Sequence, residues 1–262
     1  MRRLKAIVKS ALPLLPVPAD RALTRLLRTL GLTSAAYAAY VRCGRPEVVV
    51  TGPFAGMKTI DRAAGSAHTP KVSGTYEKEL HEELTALCAT PFELLINIGS
   101  AEGYYAVGFL LEQRGLRALC IDIDPEAGPL LSRLAARNGV LDRVEVAITL
   151  PFDELEARLE AGLPALVICD CEGAEDALLC PEVWPSLARA TILVELHECY
   201  VPGISQRVRA RFEGSHSIAE IRARPRQPEE LVAWPELSSA ERLAMMDEGR
   251  DPNQNWFVMR PV

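Results

Sequence analysis

From about residue 93 onward, short apolar runs alternate with longer amphipathic stretches along the chain. This alternation is typical of parallel strands that are connected by helices. The pattern predicts strands at 93–98, 117–123, 143–148, 165–169 and 191–196, and helices at 104–113, 125–138, 153–160 and 204–212. Residues 217–222 and 256–259 then predict a closing antiparallel strand pair. The whole pattern predicts an α/β protein with a seven-stranded, mostly parallel sheet.

The first part of the chain does not follow this alternation. Residues 20–30 predict a helix that begins after Asp20 and ends at Gly31, and strands at 48–51 and 57–60 flank the glycine-rich segment 52–56, which predicts a hairpin. We therefore expect an N-terminal extension over residues 1–75 and a main domain over 76–262. The main domain carries a Pro- and acid-rich insertion at about 226–255, with a helix predicted at 239–248.

Composition narrows the class of protein. The 262 residues are 48% hydrophobic and 24% charged, which is average for a globular chain. The net charge of −6 argues against a nucleic-acid partner, because such binding needs a basic face. No apolar run approaches the roughly 18 residues of a membrane helix. The seven cysteines include no C-x-x-C pair, so we expect reduced thiols and a cytoplasmic protein.

The basic residues are concentrated at one end. Residues 1–45 carry nine Lys or Arg against the single acid Asp20. A solvated helix face explains this segment most simply. Contact with a membrane surface or an acidic partner is the alternative.

A loop of small residues follows the first predicted strand of the alternating region. Gly99, Ala101 and Gly103 let the backbone pass close to a ligand, and the helix after them offers unpaired N–H groups. Asp122 ends the next strand, where a carboxylate can accept hydrogen bonds from the hydroxyls of a ribose. Strand, small-residue loop, helix, strand and acid in this order indicate an adenosine-containing cofactor. Tyr104 occupies the position where a dinucleotide site needs a third glycine, so a nicotinamide cofactor is the less favoured alternative.

Three segments together resemble the FkbM-type family of S-adenosylmethionine-dependent methyltransferases. They are the loop from Ile98 to Tyr105, the run from Asp122 to Pro125, and the run from Asp170 to Glu175, which is similar to the family's Asp-x-Glu-Gly-x-Glu motif. Residues 194–198 add a fourth, less specific match. The resemblance implies a Rossmann-like class I methyltransferase fold and O-methylation of a hydroxyl on a small molecule, sugar or natural product.

The resemblance also implies which residues bind S-adenosyl-L-methionine. The expected set is Asn97, Gly99, Ala101, Glu102, Gly103, Tyr104, Asp122, Ile123 and Asp170, with Tyr76 and Glu77 upstream. Asn97 departs from the family pattern, which has an acid at that position. For Tyr76 and Glu77, core packing and a role at a helix start are alternatives of equal weight.

The ends of the fourth and fifth strands supply the candidate chemistry. Glu195 and His197 share a strand face, as do Asp170 and Glu172 if that strand extends so far. A hydroxyl acceptor must lose its proton, and His197 is the leading general base because its unperturbed pKa is about 6.5. Asp170 is expected to orient the acceptor or hold the cofactor. A histidine merely hydrogen-bonded at the sheet edge is an equal alternative, and a divalent metal held by all four side chains is a less favoured one.

These hypotheses also predict which molecules the protein binds. The acceptor is expected to be a small molecule or glycan, with residues 1–75 and the insertion forming its cap and lid. A homodimer is retained as a hypothesis for the oligomeric state. The alternatives to a methyltransferase are a nicotinamide-dependent oxidoreductase and a cofactor-binding scaffold without catalysis.

Overall fold

The computed structural model describes residues 34–61, 63–64 and 66–262. The chain divides into two compact units. Within the described part, the first consists of residues 34–78 and 225–249, and the second of residues 79–224 and 250–262. The predicted helix at 20–30 lies outside the described residues. The domain boundary predicted at residue 75 stays a prediction.

The second unit contains the sheet and the helices that cover it. Its strands are β1 (Leu94–Ile98), β2 (Arg117–Ile121), β3 (Val144–Ala147), β4 (Ala165–Cys169), β5 (Thr191–Leu196), β6 (His216–Arg222) and β7 (Asn255–Pro261). Its helices are α3 (His81–Ala89), α4 (Tyr104–Glu112), α5 (Ala127–Asn138), α6 (Phe152–Glu160), α7 (Glu175–Leu178) and α8 (Ile204–Phe212). Short 3₁₀ turns occur at Leu141–Arg143 and Pro185–Arg189.

The strand order across the sheet is β3-β2-β1-β4-β5-β7-β6. Strands β1 to β5 pair in parallel, whereas β7 runs antiparallel to both β5 and β6. The order reverses at β1, from which the chain winds first to one side and then to the other. Ligands of such sheets bind beyond the carboxyl ends of the strands at this reversal. The predicted seven-stranded, mostly parallel sheet is confirmed.

Continuous apolar runs explain why β1 and β4 lie at the centre. All five residues of β4 are buried, as expected for a strand covered by helices on both faces. Asn97 is buried in β1, level with Cys120 of β2 and Ile168 of β4. One face of the sheet packs around the fully buried Trp184 and Phe212.

The first unit brings together two segments that are distant in sequence. Its helices are α1 (Ala35–Arg42), α2 (His68–Ser73) and α9 (Ser239–Met246), with a 3₁₀ turn at Pro228–Glu230. Its apolar cluster contains Ala39 from the first segment with Met245 and Met246 from the second. Arg42 forms an ion pair with Glu241 across the two segments. The insertion therefore folds with the N-terminal part of the chain.

Some elements differ from the sequence predictions. The predicted hairpin is present but short. One antiparallel bridge joins Val48 and Lys58, and the amides of Val49 and Thr59 donate across it to Met57 and Glu47. The helix α3 was not predicted, although Glu82 and Glu83 occupy its first turn, where acids favour a helix start.

The packing generates a stability prediction. Replacing the fully buried Trp184 with alanine removes most of one core side chain, so we expect a loss of about 3–5 kcal/mol in the free energy of unfolding. The neighbouring Val183 is half exposed, and Val183→Ala should change it by no more than about 0.5 kcal/mol. Urea denaturation of both variants measures the difference, and equal losses would contradict the packing described here.

Candidate functional site

The loop between β1 and α4 is held by the neighbouring strand. The amides of Gly99 and Ser100 both donate to the carbonyl of Ile121, at 2.8 and 3.1 Å. Gly99, Ala101 and Gly103 all adopt positive φ angles, of 75°, 48° and 88°. Such angles are natural for glycine and rare for alanine, so the loop conformation is locally costly and must be fixed by its contacts.

The two glycines are required by contacts within the protein. A β-carbon on Gly99 would lie 1.6 Å from the carbonyl oxygen of Asp170, and one on Gly103 would lie 2.7 Å from Cγ of Leu131. The first contact is with backbone, which cannot move aside as a flexible side chain can. The loop after β1 is thus fitted directly against the segment after β4.

The side chain of Asp122 also holds the loop between β1 and α4. Its Oδ2 accepts a 2.7 Å hydrogen bond from the amide of Ala101, and its Oδ1 accepts one of 2.8 Å from the amide of Asp124. A carboxylate oxygen has two lone pairs, so both oxygens keep acceptor capacity for a ligand. The carboxylate of Asp124 accepts from the amide of Glu126, just before α5, as expected for a residue at a helix start.

The remaining predicted cofactor residues have different environments. Glu102 and Tyr104 are buried, whereas Ile123 is 84% exposed. An exposed isoleucine directly after Asp122 offers an apolar surface at the carboxyl end of β2. Tyr76 and Glu77 are buried in the other compact unit, where the amide of Glu77 donates to Glu248. Their predicted part in cofactor binding stays a prediction.

His197 lies just beyond β5 among carboxylates. Its Nδ1 is 2.8 Å from Oε1 of Glu175. Its Nε2 faces Glu172, Asp170 and Glu195, at 3.5, 3.7 and 3.8 Å from their nearest oxygens. The ring of Tyr200 stacks on the imidazole with 5.7 Å between centroids and 14° between planes. The structure thus brings together all four residues predicted from the ends of β4 and β5.

Glu175 is the site residue that the sequence analysis left without a role. It is fully buried, and Oε1 accepts from the amides of Cys171 and Gly173 as well as meeting His197. Its position as the last acid of the Asp-x-Glu-Gly-x-Glu motif was the signal that could have identified it. Glu175 fixes the imidazole orientation and makes Nε2 the nitrogen that faces the other carboxylates.

The charges around His197 alter its protonation. Burial by itself would lower the pKa of His197, but the hydrogen bond to Glu175 and the charges of Glu175, Asp170 and Glu172 raise it above its usual value. Burial opposes ionisation of Glu175, yet the imidazole and the backbone amide of Gly173 hold the pKa of that carboxyl below its usual value. The pair therefore favours an imidazolium beside a carboxylate.

The arrangement bears on the metal alternative. The separations of Nε2 from the carboxylate oxygens exceed hydrogen-bond lengths and are close to the roughly 3.4 Å between tetrahedral ligands of one ion. Asp170, Glu175 and His197 also offer ligand atoms within 4.8 Å of one another. However, Glu195 forms an ion pair with Arg250, whose guanidinium lies over the ring of Trp256. A cation from the protein thus already engages one of the predicted ligands, and the metal-free interpretation is retained.

Comparisons with known proteins give similarities of fold. No family model and no curated protein matches the chain. An rRNA methylase from Streptococcus thermophilus matches with 7% identity and a TM-score of 0.49, covering 70% of this chain and 96% of its own. The C-terminal domain of a precorrin-6Y C5,15-methyltransferase from Rhodobacter capsulatus matches with 15% identity and a TM-score of 0.46, covering 75% and 94%. An O-methyltransferase from Bacillus cereus, in complex with SAH, matches with 13% identity and a TM-score of 0.45, covering 71% and 80%.

These similarities assign no substrate and no subfamily, so the FkbM resemblance stays a prediction. The strand order, the parallel β1 to β5 and the antiparallel β7 define an α/β fold of the Rossmann-like type. In the described part of the chain, no helix is both long and apolar enough to cross a membrane.

The contact at Gly99 generates a prediction with an internal control. Gly162 has almost the same φ, 73° against 75°, but an added β-carbon there meets no atom within 4 Å. Gly162→Ala should therefore cost only the left-handed backbone penalty, about 1–2 kcal/mol of unfolding free energy. Gly99→Ala should cost clearly more, because it adds a clash with the backbone of Asp170. Urea denaturation compares the two variants, and similar losses would show that the close approach is relieved without cost.

Proposed function

We propose that this protein is an S-adenosylmethionine-dependent methyltransferase that methylates a hydroxyl of a small molecule, sugar or natural product. The observation that carries this proposal is the double role of Asp170. Its backbone carbonyl packs on Gly99 of the small-residue loop, while its carboxylate lies 3.7 Å from Nε2 of His197. The loop proposed to bind the cofactor and the histidine proposed to accept the proton therefore lie next to one another at the carboxyl edge of the sheet.

The cofactor assignment depends on Asp122 and on the spacing of the loop. Asp122 retains lone pairs for the two hydroxyls of a ribose while it holds the amide of Ala101. Tyr104 is buried at the position where a dinucleotide loop needs glycine, which supports an adenosine ligand without a pyrophosphate. Bound S-adenosylmethionine would supply the methyl group.

The chain's own residues would manage the proton of the acceptor. Nε2 of His197 would accept the proton of an acceptor hydroxyl held beside it. Glu175 receives the Nδ1–H hydrogen bond and stabilises the imidazolium that results. Asp170, one-third exposed, accepts a hydrogen bond from the acceptor and fixes its direction of attack.

The first experiment tests the cofactor. Calorimetry on the full chain should detect binding of S-adenosylhomocysteine, and Asp122→Asn should weaken it about 10- to 100-fold because a charged hydrogen-bond acceptor is lost. Asp124→Asn is the matched control and should leave the affinity nearly unchanged. Tight binding of NAD without binding of S-adenosylhomocysteine would overturn the proposal.

A labelling experiment then identifies the acceptor. The protein is incubated with methyl-labelled S-adenosylmethionine and a metabolite extract, and labelled products are sought by mass spectrometry. A parallel incubation with a chelator tests the metal alternative, since loss of labelling there would make His197 a ligand and remove its role as the base.

The raised pKa of His197 gives a prediction for pH. Only the neutral imidazole can accept a proton, so kcat/KM should rise with pH through a midpoint above the usual value of about 6.5. Glu175→Gln removes the principal charge that stabilises the imidazolium, so the midpoint should move to lower pH while the plateau falls by about 100-fold or more.

Two controls make this prediction specific. Glu220→Gln removes a carboxylate of β6 that pairs with Arg209, and its pH profile should match that of the unmodified protein. Retained binding of S-adenosylhomocysteine shows that Glu175→Gln is folded. A midpoint that does not move in Glu175→Gln would refute the pairing of Glu175 with a catalytic histidine.

A further inference from the structure

Two cysteines flank Asp170 with their sulfurs facing each other. Cys169 is the last residue of β4 and is fully buried, whereas Cys171 is half-buried. Their Sγ atoms are 3.8 Å apart. Residues i and i+2 of an extended chain place their side chains on one side, which explains the juxtaposition. The proposed methyl transfer uses neither thiol.

We propose that Cys169 and Cys171 form a peroxide-sensitive modification site that closes reversibly into a disulfide. Cys171 is the thiol that reacts first, because it is the more exposed of the two. Cys169 is the resolving thiol. Its sulfur is fully buried and lies 3.8 Å from that of Cys171, so peroxide reaches Cys171 first.

The chemistry requires hydrogen peroxide as the oxidant. The sulfur of Cys171 attacks one peroxide oxygen, the O–O bond breaks, and the departing hydroxide takes up the thiol proton as water. The sulfur of Cys169 then attacks the sulfenic acid on Cys171. The S–O bond breaks, and the second hydroxide leaves with the proton of Cys169 as another water. Two thiols are oxidised to one disulfide, and one peroxide is reduced to two waters.

The short spacing makes this disulfide easy to reduce. Two residues apart on an extended chain, α-carbons are separated by about 6.6–6.8 Å. That distance is at the upper limit of the 4.4–6.8 Å range found for disulfides. The sulfurs must also approach from 3.8 Å to about 2.05 Å, which requires the segment after β4 to bend. Strained disulfides are the labile ones, so a thiol reductant should restore the two cysteines.

Closure would act on the groups that hold His197. The amide of Cys171 donates to Oε1 of Glu175, and the carbonyl of Asp170 between the two cysteines rests on Gly99. A bend in this segment moves both the amide of Cys171 and the carbonyl of Asp170. A displacement of about 1 Å at a reacting group costs on the order of 100-fold in rate, so we expect a loss of this size on oxidation. This effect on rate depends on the proposed function, whereas the disulfide itself does not.

Peptide mapping tests the disulfide directly. The full chain is treated with hydrogen peroxide, alkylated under denaturing conditions and digested with trypsin, and the peptide that carries both cysteines also carries Cys180 as an internal reference. We expect this peptide to lose two hydrogens and to be alkylated at Cys180 alone. Dithiothreitol before alkylation should restore labelling at Cys169 and Cys171.

Matched variants separate this site from general thiol oxidation. Cys199→Ser removes the exposed cysteine and should leave the disulfide unchanged. Cys171→Ser should leave Cys169 alkylatable after peroxide, and Cys169→Ala should leave Cys171 as a sulfenic or sulfinic acid. Alkylation of both cysteines in the peroxide-treated protein, or oxidation confined to Cys199, would overturn the proposal.

The two proposals fail in different ways. A reversible disulfide with a reversible fall in methyl transfer supports both. A disulfide in a protein that transfers no methyl group under any condition counts against the methyltransferase and leaves the modification site standing. Methyl transfer without any disulfide after peroxide counts against the modification site alone.

Discussion

The carbonyl oxygen of Asp170 occupies the space where any side chain on residue 99 would begin. The amide of Asp170 donates at 3.0 Å to the carbonyl of Ile98, so the contact continues the pairing of β1 with β4 beyond their last residues. The loop after β1 must then turn away with glycine at position 99, and the segment after β4 must turn in the opposite direction. These backbone contacts fix the loop after β1 relative to the segment after β4.

Glu175 is the second residue on which the site depends, because it places a buried carboxylate beside His197 at the turn after β4. Its Oε1 accepts from two amides and approaches the imidazole of His197, while no residue of the described part of the chain hydrogen-bonds to the buried Oε2. An unsatisfied buried oxygen costs about 1–3 kcal/mol. Gly173 lies in the same turn. Glycine is favoured there, because a β-carbon would meet Val201 and Tyr200 at 3.2 and 3.3 Å.

The parts of the fold that could be predicted are those determined by residues close together in the sequence. Strands β4 and β5 and helix α8 were predicted to the residue, because continuous apolar runs and helical spacing are local signals. The first unit could not be predicted in this way, since its core joins residues about two hundred positions apart.

The site likewise contains residues whose approach follows from local spacing and residues whose approach depends on the folded turn. The expectation that Glu195 and His197 share a strand face matches their 3.8 Å approach. Asp170 and Glu172 also approach His197, but β4 ends at Cys169, and a turn with φ of 52° at Glu172 brings them there instead of strand alternation. The buried partner Glu175 could not be derived from period or spacing, because its role depends on a turn that only the folded contacts define.

The charge around His197 constrains when the proposed proton transfer can occur. Asp170 and Glu172 face Nε2 and carry negative charge, while the ion pair with Arg250 neutralises Glu195. A free alkoxide formed beside these carboxylates would be repelled, since like charges a few ångströms apart cost energy of the order of kcal/mol. In the proposed reaction an acceptor hydroxyl would therefore not ionise fully before it attacks. In the proposed reaction the proton would pass directly to His197, and a histidine held by Glu175 suits this role better than another carboxylate would.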